Sequence, residues 1–278
     1  MLSPLNHMCH LAPVTAKQAE LLEWVVLLGL PSLAVFHSSA PVYLESGIWC
    51  FTGLLISGFI CSITLALLPR LCSRPRPTNT APPHYLKELW CSLKNVFVIS
   101  FIAAWPVANH RLGFDTSLKW RLEDTGDTLP QALLKIVMAF FAGDAFFYWQ
   151  HRLFHRRELY IFHKLHHSFQ NPSPFAIFAV HPVETFTLYF PIWTHSLPEL
   201  NQWAPPYLAF FGFLAIFIMY IHSDTEMPPV DRFFGALGFI TPNDHNLHHK
   251  RSKVNYGGLT CLWDWLCQTG HFSRPASS

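Results

Sequence analysis

Three short segments of this chain hold eight histidines: Gln150-His151-Arg152-Leu153-Phe154-His155, Phe162-His163-Lys164-Leu165-His166-His167 and Asp244-His245-Asn246-Leu247-His248-His249. Residues three and four apart on a helix share a face, with Cβ atoms about 5–6 Å apart. Each cluster is therefore expected to aim two or three imidazoles at one point. Neutral imidazole is a good donor to iron, zinc, copper and nickel. Eight such donors exceed the four positions of a zinc ion, so the pattern predicts two metal ions sharing one nest of histidines. The bland alternative, a hydrogen-bonded histidine at a membrane interface, suits one isolated ring better than three clusters at helical spacing.

Two further histidines sit where ionisable groups in membrane segments tend to be functional. His222 opens His222-Ser223-Asp224 at the end of an apolar run, and His181 opens His181-Pro182-Val183-Glu184. His222 is expected as a ligand, and His181 as a ligand or a support for one. His7, His10, His37, His84, His110, His195 and His271 are expected to stand apart. Asp144, Asp224, Asp244 and Asp264 could fix imidazole tautomers through hydrogen bonds, or could cap helices.

Other chemistries find no residues to carry them. The seven cysteines form no C-x-x-C pair, which leaves any metal to imidazole. H-E-x-x-H is absent, and with it the general base of a zinc protease. No Glu-x-x-His of a carboxylate-bridged bundle occurs, nor a G-x-S-x-G elbow. Without a Walker A or G-x-G-x-x-G sequence, any electrons the chemistry needs must come from a partner. A net charge of +2 gives no reason to expect nucleic acid.

The elements that must position these rings are membrane helices. Hydrophobic residues make up 51% and charged residues 13% of 278, against about 25% charged in a soluble domain. The uncharged run 46–68 is long enough to cross ~30 Å of hydrocarbon. It ends at Pro69-Arg70, followed by Arg74 and Arg76 in a proline-rich linker, which puts that end in the cytoplasm. Runs 95–109 and 129–149 form a second pair of passes, and 175–197 and 203–221 a third, so 151–167 and 222–271 share the cytoplasmic side. The run 21–36, interrupted by Glu23 and Pro31, is either interfacial or an extra span. The start lacks the features of a signal peptide, and the end lacks a retrieval signal. The expectation is an all-α integral membrane protein with about four core transmembrane helices in two hairpins under a cytoplasmic helical, histidine-rich cap. No strands are needed.

The three clusters and their flanks resemble the membrane fatty acid hydroxylase/sterol desaturase superfamily over roughly 140–270. Asp144-x3-Tyr148-Trp149-x-His151-Arg152-x2-His155 is similar to the family's entry motif. Asn171-Pro172-Ser173-Pro174-Phe175-Ala176, His181-Pro182, His222-Ser223-Asp224 and Asn255-Tyr256-Gly257-x2-Thr260-x2-Trp263-Asp264 look like its sterol C5-desaturase branch. The sequence departs from that branch at Asp224-Thr225-Glu226-Met227-Pro228 and at Cys267-Gln268-Thr269-Gly270. The resemblance implies a catalytic domain over 84–278, with boxes at 151–155, 163–167 and 245–249, behind an N-terminal membrane segment and linker, 1–83. It also implies a di-iron centre held by the box histidines, O2 as co-substrate, and an endoplasmic reticulum membrane location. Electrons would come from NAD(P)H through a cytochrome b5-type carrier and its reductase. The expected reaction is hydroxylation or desaturation of an unactivated C–H bond in a sterol, terpenoid-like or other lipid.

Arg152, Arg156, Arg157, Lys164, Lys250, Arg251 and Lys253 edge the clusters, where an acidic carrier could dock or lipid headgroups could lie. A membrane metal transporter or sensor is the competing reading. It calls for ionisable groups strung through several spans, whereas 46–68 and 203–221 carry none. A non-catalytic scaffold would have no physical reason to keep eight clustered imidazoles.

Overall fold

The computed structural model describes residues 12–72, 84–224 and 226–272. His7, His10, the linker at 74–83 and the C-terminal residues lie outside them, as does Thr225. Among the described residues, five helices are long and apolar enough to cross a membrane. α1 (Ala16–Ser32) starts at a capping box between Thr15 and Gln18 and continues through a 3-10 turn to Phe36. The run 21–36 therefore belongs to a rod of spanning length despite Pro31. α2 (Ala40–Cys72) returns antiparallel to it and packs along α3 (Tyr85–Arg111). α4 (Leu129–Phe154) begins at a second capping box, Thr128 with Gln131, with Pro130 in its first turn. The expectation of four core spans thus becomes five.

The clearest departure concerns 175–197, read as one spanning run. After α5 (Tyr160–His167), this stretch is a 3-10 turn (Pro174–Phe178), then α6 (Pro182–Tyr189), then another 3-10 turn (Phe190–Ser196). Pro172, Pro174, Pro182, Pro191 and Pro198 explain the breaks, since each removes an N–H and disfavours helix in the residue before it. The chain still crosses from one end of the bundle to the other. Ser117 N–H donates to the His195 carbonyl at 3.0 Å, beside the α3–α4 loop, while Glu184 lies at the opposite end with the histidines. Irregular backbone at membrane depth needs protein partners for its polar groups, and α2 and α3 supply them. Ser62 donates to the Pro174 carbonyl (3.3 Å) and Ser92 to that of Phe175 (2.7 Å). Asn95 donates to the carbonyls of Phe178 (2.6 Å) and Val180 (2.8 Å) and accepts from the Thr185 hydroxyl (2.7 Å). Asn95 is fully buried.

α7 (Ala204–Ile221) brings the chain back, with Pro205 and Pro206 in its first turn. A two-residue parallel ladder, Leu118–Lys119 with Gln202–Trp203, ties its start to the α3–α4 loop; it is a small exception to the all-helical expectation. α8 (Pro228–Ala236), α9 (Pro242–Arg251) and α10 (Leu262–Leu266) then fold beneath the bundle. Ile48, Trp49, Ile56 and Ile60 of α2 remain exposed. Such a patch would be a liability in water and is the lipid-facing surface of an integral membrane protein.

Candidate metal centre

The C-terminal turn of α4 carries His151 and His155 at i and i+4. α5 carries His163, His166 and His167, α9 carries His245, His248 and His249, and His222 is the C-cap of α7. All nine are brought together, in two adjoining groups. His151, His155, His163, His167 and His248 form one; His166, His222, His245 and His249 form the other. Within each group the ligand atoms lie within 4.8 Å of one another. The groups touch, with the His167 and His249 rings 5.0 Å from centroid to centroid and those of His163 and His166 5.2 Å apart.

Each cluster aims two imidazoles at one point, and the third ring of the two H-x2-H-H clusters goes elsewhere. On α5 the i, i+4 pair His163 and His167 serves the first group while His166 turns to the second. On α9, His245 and His249 serve the second group while His248 turns to the first. An H-x2-H-H sequence on one helix thus reaches two points, because its middle ring projects from the face beside that of the i, i+4 pair.

The hydrogen bonds behind the rings show what the nest is built to hold. His151 Nδ1 is 2.7 Å from the Tyr256 carbonyl, His248 Nδ1 2.7 Å from that of Val254, and His222 Nδ1 2.8 Å from that of Ile218. His167 Nδ1 faces the His249 carbonyl at 3.4 Å. A carbonyl only accepts, so these Nδ1 atoms carry the protons and the Nε2 lone pairs point inward. Yet the Nε2 atoms of His155, His167 and His248 stand 3.1 Å apart in every pairing. Between His167 and His248 that contact sets lone pair against lone pair. The Nε2 pairs His151–His163 (3.0 Å), His222–His245 (3.0 Å) and His245–His249 (3.1 Å) are as close. Between rings that both carry the proton on Nδ1 such spacings are unfavourable, and they are those of neighbouring nitrogens around a metal at about 2.0–2.1 Å. The residues present fit a metal ion at each point.

Burial keeps these rings neutral, the form that ligates. It pushes His167 and His222 down to about 4 and, with the neighbouring imidazoles, His155 down to about 2. His163, His166, His245, His248 and His249 fall well below the usual histidine range for the same reasons.

Of the four aspartates expected to fix imidazoles or cap helices, Asp244 is a cap and the others bond other groups. Asp144 accepts from the Thr260 N–H (3.1 Å) and hydroxyl (2.5 Å), fastening the tail to α4 rather than bonding an imidazole. Asp264 accepts from the N–H groups of Tyr256 (2.9 Å) and Gly257 (2.7 Å) and from the Thr269 hydroxyl (2.7 Å). A Cβ on Gly257 would meet the Thr260 carbonyl at 2.6 Å, so only glycine fits beneath that carboxylate. Asp244 closes the capping box of α9 with Thr241, and Asp224 accepts from the Tyr85 hydroxyl at 3.2 Å. His181 stays outside both groups: it caps α6 through Nδ1, and its Nε2 lies 3.4 Å from Glu23. His195 bonds Ser117 (2.8 Å) and Tyr207 (3.2 Å) at the other end of the bundle. His37 and His110 sit near the far end of α3, bonded to Asn109 (3.1 Å) and Trp120 (3.4 Å).

Sequence reasoning missed Glu184, whose Oε1 lies 2.8 Å from His163 Nδ1. A lone carboxylate in an otherwise apolar stretch was the available signal. Glu184 also lines a cavity of about 60 Å³ with His151, His163, His166, His222 and His245. That is well below the roughly 300–1,000 Å³ of ligand pockets. A second cavity of about 30 Å³, between α2, α3 and α7, shares Ile177 and Phe178 with the first. The 3-10 turn is the wall between them.

Comparison with known proteins adds the family. Residues 136–269 match the fatty acid hydroxylase family model. A Delta(7)-sterol 5(6)-desaturase of Gibberella zeae is 38% identical over 124 residues, 42% of this chain and 32% of the relative. Lathosterol oxidase of Rattus norvegicus is 33% identical over 164 residues, 56% of this chain and 51% of the relative. An alternative squalene epoxidase of Phaeodactylum tricornutum is 37% identical over 107 residues, 37% of this chain and 30% of the relative. The matched regions thus span about 30% to 51% of these relatives' lengths. No solved structure matches. All three histidine clusters lie inside the region that matches the fatty acid hydroxylase family model and is similar to the sterol C5-desaturases.

Proposed function

We propose that this protein is a membrane oxidoreductase that uses two iron ions and O2 to desaturate or hydroxylate an unactivated C–H bond of a lipophilic substrate, with a sterol favoured. The observation that carries the reading is the pair of imidazole groups whose inward Nε2 atoms stand 3.0–3.1 Å apart, within 4.8 Å of one another in each group. The superfamily is a class of iron-dependent oxygenases, and a five-imidazole group is ill suited to closed tetrahedral zinc. His151, His155, His163, His167 and His248 would hold one iron, and His166, His222, His245 and His249 the other. Bound there, the iron pair would supply the oxidising power that removal of hydrogen from such a bond requires.

The chain does the rest. The Tyr256, Val254 and Ile218 carbonyls and the Glu184 carboxyl hold rings in their ligating orientation. Phe147, Ile177, Phe178 and Ile221 wall the cavity and keep water from the reacting bond. The relatives' names, sterol desaturases and lathosterol oxidase, favour a sterol.

The site end of the bundle is read as cytoplasmic, in the endoplasmic reticulum, because α2 ends there and Arg70, Arg74 and Arg76 close and follow its apolar run in the sequence. Arg157, Lys164, Lys250, Arg251 and Lys253 are exposed there and form the docking face for a cytochrome b5-type carrier fed by NAD(P)H through its reductase. Arg152 belongs to the interior instead, donating to the Tyr148 hydroxyl at 3.1 Å.

The test is elemental analysis of detergent-purified protein, wild type beside His166→Ala, followed by O2 uptake with a Δ7-sterol and reductant. Iron in the wild type, a sharp fall in the variant, and sterol-dependent O2 consumption are expected. Metal-free protein that still oxidises the sterol overturns the reading.

A further inference from the structure

Glu184 has a second oxygen that the nest does not use. Oε1 is bonded to His163 Nδ1 at 2.8 Å. Oε2 is buried and has no hydrogen-bond partner among the described residues. The residue is 6% exposed, and it lines the cavity beside the imidazoles. Leaving a carboxyl oxygen buried and unpaired is costly, so it calls for a partner that arrives later.

Its polar neighbours Thr185 and Gln150 are committed elsewhere. The Thr185 hydroxyl donates to Asn95 Oδ1 at 2.7 Å. The Gln150 amide donates to the Glu184 carbonyl (3.3 Å) and the Thr187 hydroxyl (3.2 Å). Much of the remaining lining is apolar: Ile177, Phe178, Val180, Leu188, Ile218 and Ile221. Across Ile177 and Phe178, the adjoining cavity is also apolar except for Ser62 and Ser92, whose hydroxyls are already given to the Pro174 and Phe175 carbonyls. A ligand matching this lining carries one polar group at its leading end and hydrocarbon behind it.

The position of Oε2 sets where that polar group must lie along the ligand. Glu184 stands one imidazole ring away from His163 Nε2, which faces His151 Nε2 at 3.0 Å. A group held by Glu184 is therefore only a few bonds from the carbon presented to the nest. A sterol oxidised at its 5(6) position meets this condition, because those carbons adjoin the ring that bears the hydroxyl. An acyl chain oxidised in mid-chain does not, because its headgroup lies many carbons away.

We propose that Glu184 Oε2 hydrogen-bonds the ring hydroxyl of a sterol substrate, and so selects the substrate and fixes which carbons face the imidazoles. The assignment rests on the sterol reading given above. Glu184 then has two roles joined in one carboxyl group, steadying His163 on one oxygen and seating the hydroxyl on the other.

The test is equilibrium binding to metal-loaded, full-length protein in nanodiscs without reductant, using a 3-hydroxy Δ7-sterol and its 3-deoxy analogue. The wild type is expected to bind the hydroxylated sterol about tenfold or more tightly, the effect of one buried hydrogen bond. Glu184→Leu should bring the two affinities together by weakening the hydroxylated ligand alone, and Glu184→Gln, which keeps a polar group there, should restore the difference. Metal content measured in parallel shows whether each variant retains the nest. Equal affinities in the wild type, or an unchanged preference in metal-retaining Glu184→Leu, overturn the assignment. If the wild type consumes O2 with a sterol yet ignores the hydroxyl, this assignment alone falls. If it binds neither sterol but oxidises another lipid, the sterol reading falls and takes the assignment with it.

Discussion

Asp264 and His151 are joined through a single residue. The Asp264 carboxylate accepts the Tyr256 N–H at 2.9 Å, and the Tyr256 carbonyl takes the His151 Nδ1 proton at 2.7 Å. The tail 255–269 is therefore part of the nest, although it supplies no imidazole to it. Asn255 pins the tail to α9 by donating to the Asp244 carbonyl at 3.0 Å, and Thr269 closes it by bonding both Asp264 (2.7 Å) and the Tyr148 hydroxyl (2.9 Å).

Asp264→Asn should loosen His151 without touching it. An amide that turns its NH2 toward the Tyr256 and Gly257 N–H groups loses one of two charge-assisted bonds. Metal affinity is expected to fall about 10–100-fold, the usual effect of losing such outer support. Chelator competition on the purified protein measures it, and an unchanged affinity would show that the tail holds its shape without the carboxylate.

Metal should leave in two phases. His151, His163, His167, His222 and His248 are each backed by a carbonyl or carboxyl group. The Nδ1 atoms of His166, His245 and His249 have no partner among the described residues. The second group, holding those three rings, is expected to release its ion first under a chelator. His249→Ala should abolish the fast phase and His248→Ala the slow one. Single-phase release in the wild type would contradict the division.

Asn95 gives a prediction in which the smaller chemical change does more damage. Asn95→Ala leaves the Phe178 and Val180 carbonyls without their donor, at about 1–3 kcal/mol each. Asn95→Asp puts an acceptor against those same carbonyls, and should lower the thermal unfolding temperature further than alanine does. Unfolding in detergent, followed by fluorescence, ranks the two.

Phe178 controls size. Phe178→Ala joins the two cavities and should admit bulkier sterols with a lower KM, whereas Phe178→Trp should raise KM for the natural substrate. Because Phe178 is placed outside both histidine groups, metal content should not change in either variant. A loss of metal would mean that the 3-10 turn supports the nest itself.

Docking of the carrier is tested by charge reversal at Arg157 and Lys164 together. Both are exposed, whereas Arg156 is partly engaged by Glu158 at 3.4 Å. Turnover driven by the carrier should slow and lose its salt dependence, while turnover with a small chemical reductant stays the same. Equal slowing with both reductants would remove the docking role.

What could be read in advance followed from how local it was. His151 with His155, and the two H-x2-H-H clusters, declare themselves because i, i+3 and i, i+4 neighbours share a face whatever the fold. α2 and α7 declare themselves through length and absence of charge. The role of Asn95 was not legible: an amide in a span looks like any other until Phe178 and Val180, more than eighty positions on, are known to lie against it. Glu184 was hidden for the same reason, since only the fold places it behind His163. The broken crossing was announced by its prolines, and the hydrophobicity of 175–197 outweighed them in the reading.

The dependence of that crossing on α3 also sets an order of assembly. Ser92 and Asn95 leave the ribosome more than eighty residues before the carbonyls they serve. At about 5–20 residues per second this is a lead on the order of ten seconds. A segment that could not enter a bilayer by itself thus emerges to find its template already inserted, and the last wall of the reaction chamber is cast against a mould made earlier in the same translation.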